Sequence, residues 1–151
     1  MSSIAEQGDV SQTFLTSPNV GVVQSVFTQD QWDYLFPIAN ALYDYTSFLQ
    51  AVAKFPDFCS SGGADMCKRE LATFFAHTTH EVGYENAVEA ATYPTWRQGF
   101  YYITEIGCEG TGSDACDYKS DNWSADAWPP SANAQYYGRG PLQVSWNYNY
   151  G

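Results

Sequence analysis

The chain has 151 residues, a usual size for one domain, and 44% of them are hydrophobic, which argues against wholesale disorder. With 17 acidic residues against 6 basic ones, its formal net charge of −11 disfavours nucleic acids and anionic membranes as partners. No apolar run approaches the ~20 residues that a membrane helix needs, and the polar, acidic start lacks the pattern of a secretory signal. Aromatic residues reach 17%, and their flat rings suit a neutral polysaccharide as partner.

The first predicted elements are a tail and two short helices. Residues 1–24 are polar and lack a clear period, which predicts a disordered tail or a linker remnant. Thr28 and Gln31 form a capping-box pattern, which predicts a short helix that Pro37 stops or kinks. Apolar residues at helical spacing predict a second helix over about residues 46–54.

The four cysteines fall into two pairs with the same spacing. Cys59 and Cys67 are separated by eight positions, as are Cys108 and Cys116, and each pair brackets a stretch rich in Gly, Ser or Asp. Of the three possible connectivities we favour the two short loops, Cys59–Cys67 and Cys108–Cys116. Zinc binding is the alternative, although the sequence has no C-x-x-C pair. Disulfides predict an oxidising compartment and hence secretion.

A third helix follows the first cysteine pair, with Asp65 as its expected N-cap and Gly83 as its expected stop. Its apolar positions follow helical spacing, at Leu71, Phe74, Phe75 and Thr78. Glu81 comes seven residues after Phe74, within about 20° of the same face, so we predict a carboxyl group on the apolar stripe in the last turn. Burial and the helix C-terminus both disfavour a carboxylate there, which makes Glu81 a candidate proton donor; an exposed terminal glutamate is the alternative.

Glu105 lies in an aromatic and β-branched segment, residues 99–106, which predicts a short strand or extended segment. Residues 107–134 then predict a loop rich in Gly, Ser, Asp, Asn and Pro. Hydrolysis of a glycosidic bond needs two carboxyl groups, one to protonate the leaving oxygen and one to activate water or attack the sugar. Glu81 beside apolar residues and Glu105 beside a polar loop meet this need. Three further glutamates are also available, Glu85, Glu89 and Glu109.

Three segments of the chain resemble the family 19 chitinases, in that family's order. Residues 136–151, Tyr-Tyr-Gly-Arg-Gly-Pro-Leu-Gln-Val-Ser-Trp-Asn-Tyr-Asn-Tyr-Gly, resemble the family's signature segment nearly residue for residue. His80-Glu81 is similar to the His-Glu-Thr motif that bears the general acid. Residues 100–106 are similar to the segment that bears the general base in the plant class IV members.

The resemblance implies an inverting endochitinase with Glu81 as general acid and Glu105 as general base. Ser145 would help to hold the attacking water, and His80 would support the acid beside the cleft. Three residues would contact N-acetylglucosamine units in the cleft: Gln143, Tyr148 and Asn149. The resemblance also implies a mainly α-helical, lysozyme-like, two-lobed fold that needs no metal or cofactor. An inverting mechanism further implies carboxylates ~6.5–9.5 Å apart.

Family members continue well beyond Gly151, so residues 25–151 are interpreted as a partial catalytic domain, truncated at its C-terminal end. We expect a secreted monomer whose partner is chitin or another N-acetylglucosamine polymer. Alternatives are a non-catalytic chitin-binding fragment and a peptidoglycan hydrolase of the lysozyme-like superfamily. A metal hydrolase is a further alternative, because His77, His80 and Glu81 share a helical face, but their order is not the His-Glu-x-x-His zinc motif.

Overall fold

The computed structural model of the chain describes three stretches, residues 13–83, 92–120 and 126–150. They belong to two compact units, Met1–Tyr34 with Ala41–Phe74, and Leu35–Asn40 with Phe75–Gly151. The α-helices in these stretches are α1 (Pro18–Val26), α2 (Gln29–Leu35), α3 (Tyr45–Lys54), α4 (Gly63–Val82) and the one-turn α5 (Asn147–Tyr150). In the same stretches β-structure is limited to isolated bridges, and no helix combines the length and apolar character needed to cross a membrane.

Helix α1 occupies part of the region for which the sequence predicted a tail. The tail prediction for residues 1–24 therefore does not describe the chain from Pro18 onward, and residues 1–12 lie outside the described residues. Pro18 suits the first turn, where its missing N–H has no helical partner to lose. Val20 and Val23, three residues apart, are fully buried at 0% exposure. Only these two apolar side chains mark the buried face, so the period is too short to recognise in the sequence.

Buried Asn19 joins α1 to the end of α3 within the first unit. Its Nδ2 donates to the carbonyl oxygens of Val52, Phe55 and Phe58 at 2.8, 3.0 and 3.2 Å. Its Oδ1 accepts a hydrogen bond from the Ser17 hydroxyl at 2.6 Å. The last carbonyls of a helix have no partner within the helix, and a buried carbonyl without a partner is costly. The Asn19 amide therefore stabilises the end of α3.

The predicted capping box and the second predicted helix are confirmed. The Thr28 N–H donates to Gln31 Oε1 at 2.8 Å, and the Gln31 N–H donates to Thr28 Oγ1 at 3.3 Å. Helix α3 begins one residue earlier than predicted, and the Asp44 side chain accepts from the Ser47 N–H as its N-cap. Phe27 makes edge contacts with the rings of three neighbours in this unit, Trp32, Tyr45 and Phe48.

Helix α4 begins earlier than predicted and ends where predicted. It starts at Gly63, so Asp65 lies in its first turn and is not its N-cap. It ends at Val82, and Gly83 follows as the predicted stop. A Cβ added to Gly83 would lie 2.2 Å from the carbonyl oxygen of Thr79, so the chain can turn away this closely only without a side chain.

Both disulfides have the connectivity that we favoured. Cys59–Cys67 closes the loop before α4 in the first unit, and Cys108–Cys116 closes the loop after Glu105 in the second. All four half-cystines are buried. Closing a loop restricts the unfolded chain, so each bridge adds to stability.

Candidate active site

Glu81 lies in the last turn of α4, as predicted, but outside the buried stripe of that helix. The stripe consists of the buried residues Leu71, Phe75, Thr78 and Val82. Val82 is fully buried, whereas Glu81 and His80 are exposed. Neighbouring helical residues point about 100° apart, so the burial of Val82 turns Glu81 toward solvent. The predicted burial of Glu81 among apolar side chains is therefore wrong, and Phe74, the reference for that prediction, is only half-buried.

The end of α4 is hydrogen-bonded to the segment that leads to Glu105. The carbonyl oxygen of Val82 accepts from the N–H groups of Tyr101 at 2.9 Å and Tyr102 at 3.0 Å. These bonds also satisfy a carbonyl that the helix itself leaves without a partner. Val82, the residue after Glu81, is thus hydrogen-bonded to Tyr102, three residues before Glu105. These bonds connect the backbone next to one glutamate with the backbone that leads to the other.

Close packing supports the same connection. The rings of Phe36, Phe75 and Phe100 meet edge to face, with centroids 4.8–6.2 Å apart. Gly99 lies directly against α4, because a Cβ added there would be 2.4 Å from Thr79 Oγ1. The turn before Glu105 therefore has little freedom to move along the last turns of the helix.

Glu105 itself lies beside the signature segment, which pairs with it through the backbone. The residue before Glu105 forms an antiparallel bridge with Arg139. The Glu105 N–H donates to the Gly138 carbonyl at 2.8 Å, and the Gly140 N–H donates to the Ile103 carbonyl at 2.7 Å. The predicted strand over residues 99–106 is thus reduced, among the described residues, to a single bridge, and that bridge sets the position of Glu105.

Two donors hold the Glu105 carboxylate. The Tyr118 hydroxyl donates to Oε1 at 2.7 Å, and the Gly138 N–H donates to Oε2 at 3.1 Å. Hydrogen bonds to a carboxylate favour its ionised form. The same contact raises the pKa of Tyr118, first because its hydroxyl binds the carboxylate and then because the ring is desolvated. The Glu81 side chain, by contrast, makes no hydrogen bond or ion pair with another residue of the described stretches.

The signature segment folds into a tight hairpin beside Glu105. Arg139 and Val144 exchange both backbone hydrogen bonds, at 3.2 and 3.1 Å. Gln143 lies at the turn with φ 45°. Its Nε2 donates to the Gly140 carbonyl at 3.2 Å and to the Ile103 carbonyl at 3.5 Å. The hairpin thereby places the Gln143 amide next to the segment that carries Glu105.

The remaining predicted site residues follow directly in the chain. The Ser145 hydroxyl donates to the Gln143 carbonyl at 2.9 Å, and Asn149 Nδ2 donates to the Ser145 carbonyl at 2.8 Å. The ring of Tyr148 stacks on that of Trp146, with centroids 6.1 Å apart. Hydrogen bonds from side chains to backbone carbonyls thus connect Gln143, Ser145 and Asn149.

The start of the signature segment makes contacts that hold the segment itself together. Arg139 donates to the carbonyls of Gln135 and Tyr137 and to the Tyr150 hydroxyl, and its guanidinium lies 3.8 Å from the centre of the Tyr137 ring. Gly140 has φ 72°, a conformation that suits a glycine at a turn.

Three residues with contacts at or near Glu105 and the signature segment were not singled out from the sequence. Tyr118 lies in a loop without any period, so nothing in the sequence distinguishes it from the other eleven tyrosines. Gly138 donates to Glu105 through its backbone N–H, which a sequence does not reveal. Asn147 is only 3% exposed; its Oδ1 accepts from the Ser120 N–H and its Nδ2 donates to the Trp128 carbonyl, at 2.8 and 2.7 Å. Asn147 lies in the signature segment, but the resemblance implied substrate contacts for its neighbours Tyr148 and Asn149 and not for Asn147 itself.

Gly138→Ala should weaken substrate binding through Gln143. The added Cβ would lie 2.5 Å from Gln143 Oε1, and the flexible amide can relieve the overlap only by moving. Loss of its hydrogen bonds should raise KM for a chitin oligomer by about 2- to 10-fold, which steady-state kinetics would measure. Gly21→Ala is the control, because its Cβ would meet nothing within 4 Å. An unchanged KM in Gly138→Ala would remove Gln143 from substrate binding.

Two groups of residues were alternative metal sites: the four cysteines, and His77, His80 and Glu81 on one helical face. Both cysteine pairs form disulfides. Across the part of the chain that the structure describes, no three His, Cys, Asp or Glu side chains form a group that could hold a metal ion.

Comparison with known proteins places this site in a family. The sequence model of the family described as "Chitinase class I" matches residues 31–151. "Endochitinase A" of Zea mays is 41% identical over 109 residues, which cover 72% of this chain and 31% of that protein. "Endochitinase EP3" of Arabidopsis thaliana is 36% identical over 145 residues, which cover 91% of this chain and 45% of that protein.

Solved structures agree with the sequence relatives. Chitinase C from Streptomyces griseus HUT6037 superposes with a TM-score of 0.58 at 32% identity, over 83% of this chain and 41% of that one. A second bacterial family 19 chitinase gives a TM-score of 0.59 at 30% identity, over 83% of this chain and 51% of that one.

The chain therefore belongs to the family 19 chitinases, the chitinase class I family. The predicted mainly α-helical, lysozyme-like chitinase fold is confirmed for the part that the chain represents. The chain spans less than half the length of the curated relatives named above.

Proposed function

We propose that the protein is an endo-acting chitinase that hydrolyses the β-1,4 links between N-acetylglucosamine units with inversion, using Glu81 as general acid and Glu105 as general base. The observation that supports this most is the Glu105 carboxylate, held by two donors beside the signature segment of a chitinase-family chain. A base must be ionised and correctly oriented before a water can lose its proton to it.

The base step follows from the hydrogen bonds of Glu105. A carboxylate has about four acceptor sites, so the two donors from Tyr118 and Gly138 leave sites for an attacking water. Glu105 takes a proton from that water while the water oxygen attacks the anomeric carbon from the face opposite the leaving group. We propose that Ser145 helps to hold this water.

The acid step falls to Glu81. Its side chain is exposed at the end of α4, where a glycosidic oxygen can approach it, and Val82 holds the backbone beside it. Glu81 gives its proton to the leaving oxygen, so the bond breaks without releasing an alkoxide. We propose His80 as a supporting residue next to it. The distance between the two carboxyl groups should be ~6.5–9.5 Å, which leaves room for the water.

The proposed substrate is chitin or another N-acetylglucosamine polymer. Chitin is uncharged, and a chain with a net charge of −11 would repel an anionic polymer. Gln143 and Asn149 offer amide donors and acceptors for acetamido and hydroxyl groups, and Tyr148 offers a ring to stack on a sugar face. Two disulfides suit an oxidising compartment, so we propose that the protein is secreted and acts as a monomer.

Product stereochemistry tests the proposal. With an N-acetylglucosamine hexamer, proton NMR of the fresh products should show the α-anomer first, before mutarotation, because an inverting enzyme reverses the β-configuration. The full-length protein should be used. Initial release of the β-anomer would overturn inversion, and binding of chitin without any soluble product would favour the non-catalytic alternative. Release of fragments from peptidoglycan but not from chitin would favour the peptidoglycan hydrolase.

A further inference from the structure

Tyr118 is the residue outside the predicted site that contacts Glu105 most directly. Its hydroxyl lies 2.7 Å from Glu105 Oε1, the shorter of the two hydrogen bonds to that carboxylate. Tyr118 is half-buried and has φ 46°, a backbone conformation that a residue with a side chain seldom adopts. A backbone of this kind persists only where the surroundings hold it in place.

The surroundings of Tyr118 supply that support. Its ring packs against a buried cluster formed by Cys108, Cys116 and Tyr137. The edge of a second ring, that of Trp146, meets it with centroids 5.3 Å apart and planes at 83°. The Tyr118 carbonyl accepts from the N–H of buried Asn147 at 3.2 Å. The ring is thus packed against the second disulfide and against two rings of the signature segment.

We propose that Tyr118 is a positioning residue for the general base: its hydroxyl holds the Glu105 carboxylate turned toward the water, and the Cys108–Cys116 disulfide holds Tyr118 in place. This inference rests on the proposed role of Glu105. The phenol is the side-chain half of the two-point contact, and the Gly138 N–H is the backbone half. With one donor alone, the glutamate side chain can rotate about its last bond; with two, it cannot.

Tyr118→Phe tests the proposal while keeping the ring and its packing. Loss of a hydrogen bond to a charged group should lower kcat on an N-acetylglucosamine hexamer by about 10- to 100-fold, with KM changed by less than about 2-fold. The loss should fall on kcat and not on KM, because the phenol contacts the base and not the sugar.

Tyr45→Phe is the matched control. It also removes one phenol hydroxyl, which donates to the Phe27 carbonyl in the other unit. This variant should lose some stability and keep the kcat and KM of the wild type. Equal losses of kcat in the two variants, or a rise of KM in step with the fall of kcat in Tyr118→Phe, would overturn the proposal, because a purely structural role predicts that result.

The two cysteine pairs extend the test. Replacing Cys108 and Cys116 with serine should lower kcat with little change in KM, as Tyr118→Phe does, since it removes the support of the ring. Replacing Cys59 and Cys67, in the other unit, should lower Tm without lowering kcat. Equal kcat values for the two double variants would contradict a role for the second disulfide in holding Tyr118.

Glu105→Gln separates this proposal from the one on which it depends. If Glu105→Gln keeps wild-type kcat, the assignment of the base has failed, whatever Tyr118→Phe does. If Glu105→Gln is inactive while Tyr118→Phe has the kcat of the wild type, the base assignment stands and the positioning role of Tyr118 is overturned.

Discussion

Glu105→Gln should lower kcat on an N-acetylglucosamine hexamer by on the order of 10²- to 10⁴-fold, the usual contribution of a positioned acid or base. The amide oxygen can still accept from the Gly138 N–H while the amide nitrogen donates to the Tyr118 hydroxyl, so the fold and the local contacts should persist. It cannot take a proton from water, however, so the chemical step fails while substrate still binds. KM should change little, because the carboxylate acts on the water more than on the sugar.

Chemical rescue sharpens this prediction. In Glu105→Ala the cavity left by the side chain can admit formate, which replaces the missing base, and kcat should rise with formate concentration. Glu109→Gln is the matched control: Glu109 is an exposed glutamate four residues away that accepts from the Thr104 hydroxyl at 3.0 Å, and its loss should leave kcat unchanged. Wild-type activity in Glu105→Gln, or an equal loss in Glu109→Gln, would contradict the assignment.

Glu81→Gln should lower kcat on the same hexamer by a similar factor, on the order of 10²- to 10⁴-fold, because the leaving sugar oxygen can no longer receive a proton. The effect should depend on the leaving group. On a chito-oligosaccharide with a dinitrophenyl leaving group, which departs without protonation, the variant should approach the wild-type rate. Because the side chain is exposed, the substitution should not disturb folding, and Tm should be unchanged.

Asp65→Asn provides the control on the same helix, since Asp65 lies exposed in the first turn of α4 and forms only a surface ion pair with Lys68. It should behave as wild type. The two glutamates should also respond in opposite ways: formate should not rescue Glu81→Ala, and the activated leaving group should not rescue Glu105→Gln. If both variants respond alike, the acid and the base have not been told apart.

The burial predicted for Glu81 was wrong because helical periodicity did not identify which face of α4 is covered. Seven residues after Phe74, Glu81 does return to nearly the same face, but Phe74 is itself only half-buried. Phe75 and Val82 are buried, and each lies one position after Phe74 and Glu81 respectively. The apolar stripe of α4 is wider than the part of the helix that is buried. The sequence therefore does not say which edge of the stripe is buried; the elements that pack against the helix decide this.

Features that depend on residues close together in the sequence were predicted best. The capping box at Thr28, the end of α4 before Gly83 and the two short disulfide loops are each decided by residues a few positions apart, so sequence alone determined them. The signature segment determined the family for the same reason, as a continuous run of residues. Helix α1 was not predicted, because its buried face consists of only two valines and one asparagine.

Tertiary structure alone decided how Glu105 is held. Tyr118 follows it by thirteen residues and Gly138 by thirty-three, across loops without periodicity, and both donors meet one carboxylate. No local propensity encodes such a meeting; it results from the bridge between Thr104 and Arg139, the second disulfide and the packing around the Tyr118 ring. The sequence by itself therefore determined which residues are candidates for the chemistry. Contacts between distant parts of the chain decided the surroundings of each candidate, because hydrogen bonding and burial depend on neighbours in space.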